Sequence, residues 1–373
     1  MSEEEKYYPG LEGVIAGETA VSTIAGGLQY YGYSIMDLAE GACFEEVAYL
    51  LLYGELPNEE QLADFRAILS ESYDVPIPVL NFIREIPLHA NGMDVLRTGI
   101  SGLAHFDPAT DDNSPDAIRD KSRRLLAQIP ILIAARHRFL RGEELPRPNP
   151  ELGIAGNLLY LITGREPTSD YERAMDLSLI LYAEHEYNAS TFTARVVSST
   201  LADYHSAIVA AVGALKGPLH GGANERVLEV LQEVGSPDQA ETWIRESLAS
   251  KRRIMGFGHR VYKDGDPRAR ILKDHCRRLA ATKEQQEMEE TAEVIERVVW
   301  EQKHLPPNLD WPSARMYHYL GLEVDLYTPL FVASRVAGWS AHIIEQLGNN
   351  RLIRPRGRYI GPEPREFIPL SSR

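Results

Sequence analysis

The sequence predicts an all-α protein, on three observations. From Asp37 onward, apolar residues recur at helical spacing in one segment after another. Short Pro/Gly-rich breakers separate those segments. Alternating apolar and polar runs of useful strand length are almost absent, leaving room only for a small hairpin between Leu11 and Tyr33.

Taken in order, Val47, Leu50, Leu51 and Leu52 form a stripe that stops at Gly54-Glu55-Leu56-Pro57, and Leu62, Phe65, Ile68 and Leu69 begin the next. Helical patterns then cover Asp94 to Leu103, Ile118 to Leu140, Ala155 to Ile162 and Tyr171 to Glu186. Their breakers include Pro146-Arg147-Pro148-Asn149-Pro150 and Gly164-Arg165-Glu166-Pro167. Pro130 lies inside the second of these patterns and predicts a kink or a split, because proline lacks the N–H of a helical ladder. Ile208, Val209, Val212 and Leu215 carry a helix that ends at Gly217-Pro218. Val227, Leu228, Val230 and Leu231 carry the following one, with Asn224 as its expected N-cap. Residues 280–303 place Val294, Ile295, Val298 and Val299 on one face of an otherwise solvated helix. Leu326 to Leu347 is the long apolar helix near the C-terminus, followed by an arginine-rich tail from Asn349 to Arg358.

At 373 residues the chain is long enough for more than one domain. A net charge of −15 argues against a general nucleic-acid or anionic-membrane binder, since both normally present basic surface. Cys43 and Cys276, the only cysteines, are too few for a disulfide framework or a cysteine-based zinc cluster. Met1-Ser2-Glu3-Glu4-Glu5-Lys6 lacks the basic-then-apolar order of a signal peptide, and no apolar run approaches membrane-spanning length. The expectation is a soluble, cytoplasmic protein without nucleic-acid or membrane partners.

Six stretches could carry chemistry. His220 sits in Gly217-Pro218-Leu219-His220-Gly221-Gly222, just before a helix start whose exposed amides disfavour a second proton on imidazole. A neutral ring can donate to an oxygen that gains negative charge; in isolation the same residue reads as a structural histidine between glycines. Gly256 and Gly258, in Lys251 to Lys263, could let backbone amides close on an anionic or adenine-bearing ligand, with basic residues nearby for phosphate. A dinucleotide fingerprint is excluded, because the third glycine and the preceding strand are missing. His259 and Arg268 are, on spacing alone, as consistent with surface positions as with ligand contacts. His185 ends one helix before Asn188 and Ser190 can cap the next, and lacks the second histidine of a helical zinc protease. At a helix C-terminus its charged form would suit a carboxylate. Asp310, pinned by Pro306, Pro307 and Pro312 and flanked by Leu309 and Trp311, should have its pKa raised by desolvation, making it a stronger base when ionised; the plain alternative is a turn former. Arg335, amid apolar residues on the last helix, needs a partner, and one arginine of Arg351, Arg354, Arg356 and Arg358 suits a bidentate carboxylate contact.

Together these stretches, with Gly10-Leu11-Glu12-Gly13-Val14, Met93-Asp94-Val95-Leu96-Arg97-Thr98 and Asn350-Arg351-Leu352-Ile353-Arg354-Pro355, closely resemble the citrate synthase family in its shorter bacterial and archaeal form. The resemblance implies a large helical domain (residues 1–219 and 326–373) with a smaller mobile helical domain (220–325) inserted, working as a homodimer with shared active sites. It implies that Asp310 takes a proton from the acetyl-CoA methyl while His220 donates to the thioester oxygen. His259 would polarise the oxaloacetate ketone, and His185, Arg268, Arg335 and Arg354 would hold its carboxylates, Arg354 from the partner subunit. Arg253, Ile254, Met255, Gly256 and Phe257 would contact CoA, a co-substrate rather than a tightly bound cofactor. No metal is implied, since histidines and arginines supply the electrophilic stabilisation.

Two departures from the family pattern stand out. Tyr31 occupies a position where an arginine that could contact CoA phosphate is common. Trp311-Pro312-Ser313-Ala314 replaces the usual Phe-Tyr-Ser-Gly and, with Glu184-His185-Glu186-Tyr187, leans toward 2-methylcitrate synthases, which use propionyl-CoA. From another class, a non-catalytic metabolite-binding relative would keep the fold and lose the chemistry, against which Asp310, His220 and His259 all stand in place.

Overall fold

The computed structural model describes residues 7–258 and 265–373. Among them the all-α expectation holds, and the one sheet is small. Strands β1 (Ser22–Thr23), β2 (Gln29–Tyr30) and β3 (Tyr33–Ser34) pair antiparallel, with Ser22 opposite Tyr30 and Gln29 opposite Ser34. This is the expected hairpin with one extra strand.

Helices α1 (Ile35–Gly41), α2 (Phe44–Tyr53), α3 (Glu59–Glu71), α4 (Ile77–Glu85) and α5 (Gly92–Ala104) lead into the long α6 (Pro115–Leu140). They are followed by α7 (Ile154–Thr163), α8 (Ser169–Tyr182), α9 (Ala189–Ser198) and α10 (Tyr204–Leu215). Local chemistry sets many of their ends. Asn58 and Gln61 form a reciprocal capping box on α3, Asn188 caps α9 through Thr191 N–H, and Gly54 ends α2 in the left-handed conformation.

Then come α11 (Ala223–Val234), α12 (Pro237–Ala249), α13 (Pro267–Leu279), α14 (Lys283–Lys303) and α15 (Asp310–Tyr319), and finally α16 (Tyr327–Gly348). α16 is the axis of the molecule. Every residue from Tyr327 to Ile343 is buried, and the helix packs against α2, α5, α6, α8, α9 and α10. Helices α11 to α15 pack among themselves and reach the first group through α13 against α8 and α1, and through α11 against α16.

Three local expectations are overturned. α6 runs unbroken through Pro130. The bond proline cannot make costs about 3 kcal/mol, whereas each buried neighbour such as Leu126, Ile129 or Leu132 contributes roughly 1.5–3 kcal/mol. α8 stops at Tyr182, not Glu186, because Glu184 turns inward to a tertiary partner and Glu186 has φ +51°. His185 is therefore three residues beyond the helix. Asn224 does not cap α11; Gly222 holds that position, and Asn224 is fully buried in the first turn with no hydrogen-bond partner for its side-chain amide among the described residues. None of the helices in the described residues is long and apolar enough to cross a membrane.

Candidate active site

The site forms where the α8–α9 turn, the α10–α11 turn, the start of α15 and the middle of α16 meet. α8 supplies its frame. The last carbonyls of a helix have no partner within it and carry partial negative charge, so they attract cationic donors. Arg268 donates from Nη1 to Leu181 O (3.3 Å) and Arg335 from Nε to Tyr182 O (2.6 Å). Arg268 is additionally gripped by Asp266, Nε to Oδ1 at 3.0 Å and Nη2 to Oδ2 at 2.9 Å.

Arg335 is only 2% exposed, and its terminal nitrogens have no hydrogen-bond partner among the described residues. Burial pushes its pKa down to about 10 against the pull of Glu184. It is still charged at neutral pH. A buried cation with two unused donors is built to receive a planar anion.

Phe331, one helical turn before Arg335 on α16, is the hub. Its ring lies 4.7 Å from the Arg335 guanidinium, 4.5 Å from the Tyr182 ring and 6.1 Å from the His220 ring. Tyr182 Oη in turn donates to Asp310 Oδ1 at 2.8 Å. One phenyl group thus joins the candidate electrophile, the candidate carboxylate clamp and, through Tyr182, the candidate base.

Asp310 is the first residue of α15, between the buried Leu309 and Trp311. Desolvation raises its pKa to about 6, against the hydrogen bond from Tyr182 and the attraction of Arg268. The direction is the one expected from its apolar flanks. His220 is moved the opposite way, to about 4, first by burial and then by Arg335. Near neutrality Asp310 is ionised and His220 is not. Environments that push two titratable groups apart in this way separate a base from a neutral donor.

The neutrality of His220 was expected; its neighbours were not. The ring is seated on the N-terminus of α9, not α11: Ser190 N–H donates to Nε2 at 3.3 Å and Ser190 Oγ lies 2.8 Å from the same atom. Trp339 Nε1 donates to Ser190 Oγ at 3.1 Å, holding it from α16. The Ser190 hydroxyl proton can rotate between Nε2 and Asn188 Oδ1, 2.8 Å from Oγ, whereas the amide proton has a fixed direction, so the tautomer is assigned from the amide. Nε2 accepts, and the neutral ring carries its proton on Nδ1.

Beneath the site is a buried network absent from the sequence reading. Glu184 and His342 are both fully buried, His342 Nε2 lying 3.0 Å from Glu184 Oε1. The same Glu184 oxygen accepts from Ser22 Oγ at 2.9 Å. His342 Nδ1 lies 3.0 Å from Arg195 Nη1, which also pairs with Glu345 at 2.6 Å. Burial pushes the Glu184 carboxyl up, but His342, then Arg335 and Ser22, hold it below its ordinary range. The network fixes the turn that carries His185, which is half-buried between α8 and α9.

Residues 253–257 lead into the Asp310 loop. Gly258 N–H donates to Pro306 O (2.8 Å) and Asn308 N–H to Gly256 O (2.9 Å), with Phe257 bridged to Pro307. Gly256 has φ +86°, and a Cβ there would stand 2.8 Å from both Trp311 and Val227. Only glycine fits. The Phe257 ring lies 4.6 Å from that of Trp311, Ile254 is buried, Met255 is half-buried and Arg253 is exposed. The segment expected to meet CoA is thus tied to the loop that supplies Asp310.

The chain brings together His220, Asp310, Arg268, Arg335 and the 253–257 segment. It does not bring Arg354, which is exposed in a tail without regular structure and pairs with no described residue. His259 lies outside the described residues. Sequence reasoning missed Tyr182, Phe331, Glu184 and His342. The spacing of Phe331 and Arg335, one turn apart on the same face, was the available signal for one of them.

A family model described as citrate synthase, C-terminal domain, matches residues 10–356. Citrate synthase 2 of Bacillus subtilis is 47% identical over 366 residues, covering 98% of both chains. The 2-methylcitrate synthase of Shewanella oneidensis is 44% identical, covering 98% of this chain and 97% of that one. Among solved structures, the fold superposes with a TM-score of 0.93 and 35% identity on the citrate synthase of Thermoplasma acidophilum, solved as a ternary complex with carboxymethyl coenzyme A and oxaloacetate; the match covers 99% of this chain and all of that one.

Proposed function

The chain belongs to the citrate synthase family, and on that premise we propose that it condenses acetyl-CoA with oxaloacetate and hydrolyses the resulting citryl-CoA to citrate and CoA. The observation that carries the proposal is the opposed pair: a carboxylate raised toward neutrality and an imidazole held neutral, joined around Phe331 to a buried arginine with unused donors.

In this reading ionised Asp310 takes a proton from the acetyl methyl, and the electrons move onto the thioester oxygen. His220 Nδ1–H donates to that oxygen as charge develops there. Carbon acids are far weaker than carboxylic acids, so neither group suffices alone. General-base catalysis supplies ~10²–10⁴-fold, and one preorganised donor is worth roughly 2.7–4 kcal/mol. The enol or enolate carbon attacks the ketone carbon of oxaloacetate, the alkoxide so formed takes a proton from His259, a role assigned by resemblance, and water then cleaves the citryl-CoA thioester with CoA as the leaving thiol.

Arg335 and Arg268, with His185, are proposed to hold the oxaloacetate carboxylates, and residues 253–257 to hold part of CoA. His259 is assigned to the ketone oxygen by resemblance alone. Arg354 is proposed to reach the site of a partner subunit, as its exposure permits, and helices α11 to α15 to move as a smaller lobe over residues 1–219 and 326–373. A cytoplasmic location is proposed, which the two unpaired thiols of Cys43 and Cys276 fit, and a homodimer is proposed from the resemblance.

A second reading is 2-methylcitrate synthase acting on propionyl-CoA. Trp311-Pro312-Ser313-Ala314 and the 44% identity to the Shewanella protein favour it. One methylene in an apolar pocket is worth about 1–3 kcal/mol of discrimination, so the two readings differ by a modest ratio. Thiol release by the purified protein tests both. CoA release from acetyl-CoA should require oxaloacetate, with kcat/KM for acetyl-CoA above that for propionyl-CoA. Release without oxaloacetate would sink the condensation, and a clear preference for propionyl-CoA would replace the first reading by the second.

A further inference from the structure

Tyr182 is the last residue of α8, and both of its ends are engaged at the site. Its carbonyl accepts from Arg335 Nε (2.6 Å), while its hydroxyl lies 2.8 Å from Asp310 Oδ1 and 2.7 Å from Ser313 Oγ. A phenol has one proton to give, and an ionised carboxylate can only accept. The two contacts are therefore ordered: Tyr182 Oη–H donates to Asp310, and Ser313 Oγ–H donates to Tyr182 Oη at 2.7 Å, the shorter of its two contacts, the other being Asp310 O at 3.2 Å. The ring has no freedom to leave, being buried edge-on against Phe331 at 4.5 Å.

We propose that Tyr182 is the positioning residue of the base: its hydroxyl fixes the Asp310 carboxylate by Oδ1, leaves Oδ2 to receive the substrate proton, and stabilises the ionised form. The inference rests on Asp310 being the base, as proposed above. A buried carboxylate without such a donor would rotate about its last torsion and hold its proton to higher pH. Ser313, one turn into α15, also reaches the Asp310 backbone carbonyl at 3.2 Å, but it reaches the Asp310 carboxylate only through Tyr182, by supplying the proton that leaves the phenol no other direction to donate.

Tyr182→Phe tests this, since it removes the hydroxyl and keeps both the ring against Phe331 and the carbonyl under Arg335. Turnover and its pH dependence are measured at saturating oxaloacetate, alongside Asp310→Asn and Ser313→Ala. The expected result for Tyr182→Phe is a kcat lower by about tenfold, as for loss of a hydrogen bond to a charged group. KM for oxaloacetate should stay near wild type, and the acid limb of kcat should move up by about one pH unit. Ser313→Ala should move the limb the same way by less, and the double variant no further than Tyr182→Phe alone. An unmoved limb in Tyr182→Phe, with Asp310→Asn inactive, overturns the positioning role and leaves the base in place. A loss confined to KM for oxaloacetate would also overturn it, because Tyr182 would then act through Arg335. Full turnover in Asp310→Asn overturns the base assignment and this inference with it. Should Tyr182→Phe not fold, an unmoved limb in Ser313→Ala decides against the relay.

Discussion

At the scale of single residues, the proposed site assigns opposite charge states to Asp310 and His220 within one buried neighbourhood. Desolvation acts on both and has opposite consequences: it penalises the anion of an acid and the cation of a base. Asp310 rises to about 6 and His220 falls to about 4, so between those values and neutrality the base loses its charge while the donor keeps its form. The pH profile should accordingly show one acid limb from Asp310. Activity should be full above about pH 7, fall as pH drops through about 6 because the carboxylate becomes protonated, and show no separate step from His220 above about 4.5. The measurement is kcat/KM for acetyl-CoA from pH 5 to 8 at saturating oxaloacetate. A profile flat through pH 6 would mean that the carboxylate is not desolvated in the working enzyme.

At the scale of elements, the decisive contact is the crossing of α16 over the end of α8. Gly338 makes it possible: a Cβ there would stand 2.3 Å from Ala183 O and from Glu184 Oε2, one of them backbone that cannot step aside. Gly338→Ala should therefore destabilise the protein by at least the ~1–3 kcal/mol typical of overpacking. It should also disturb the turn carrying His185, read as a lower thermal midpoint together with a raised KM for oxaloacetate. A wild-type midpoint would show that the crossing is looser than described.

The same crossing shows what was legible in the sequence. Helix existence was, because Leu177 and Leu181 or Val332 and Val336 declare buried faces by local spacing alone. The end of α8 was not. Local pattern carries on past Tyr182, and what stops it is His342, 158 positions away, taking Glu184 inward. Asn224 was misplaced for a related reason: a good capping side chain lost its position to Gly222 and was buried by neighbouring helices. Asp310, Arg335 and His220 could be singled out because each contradicts its surroundings, a charge or a titratable ring amid apolar or glycine-rich sequence. Phe331 and Tyr182 contradict nothing, as aromatic residues on apolar helices, and only the packing shows what they join.

At the scale of the whole molecule, the described helices bury a continuous core, whereas the N-terminal arm and the C-terminal tail lie exposed. Ile15, Leu352, Tyr359, Ile360 and Phe367 are all more than half exposed, along the N-terminal arm and the C-terminal tail that carries Arg354. Apolar arms of this kind are what a homodimer would cover. If Arg354 serves the partner's site, inactive Arg354→Ala and Asp310→Asn proteins should regain activity when unfolded together and refolded. Each mixed dimer would then hold one site with neither substitution. Activity no greater than the sum of the separate proteins would mean that each site is built within one chain.

All three scales meet in the claim that one acyl thioester lies between His220 and Asp310 while oxaloacetate lies on the arginines. A crystal structure of the protein with carboxymethyl coenzyme A and oxaloacetate tests it most directly. The predicted result is the carboxymethyl end within hydrogen-bond reach of His220 Nδ1 and of the Asp310 carboxyl group, with oxaloacetate carboxylates on the Arg335 and Arg268 guanidinium groups. The carboxymethyl end bound in a cavity lined by neither His220 nor Asp310 would contradict it.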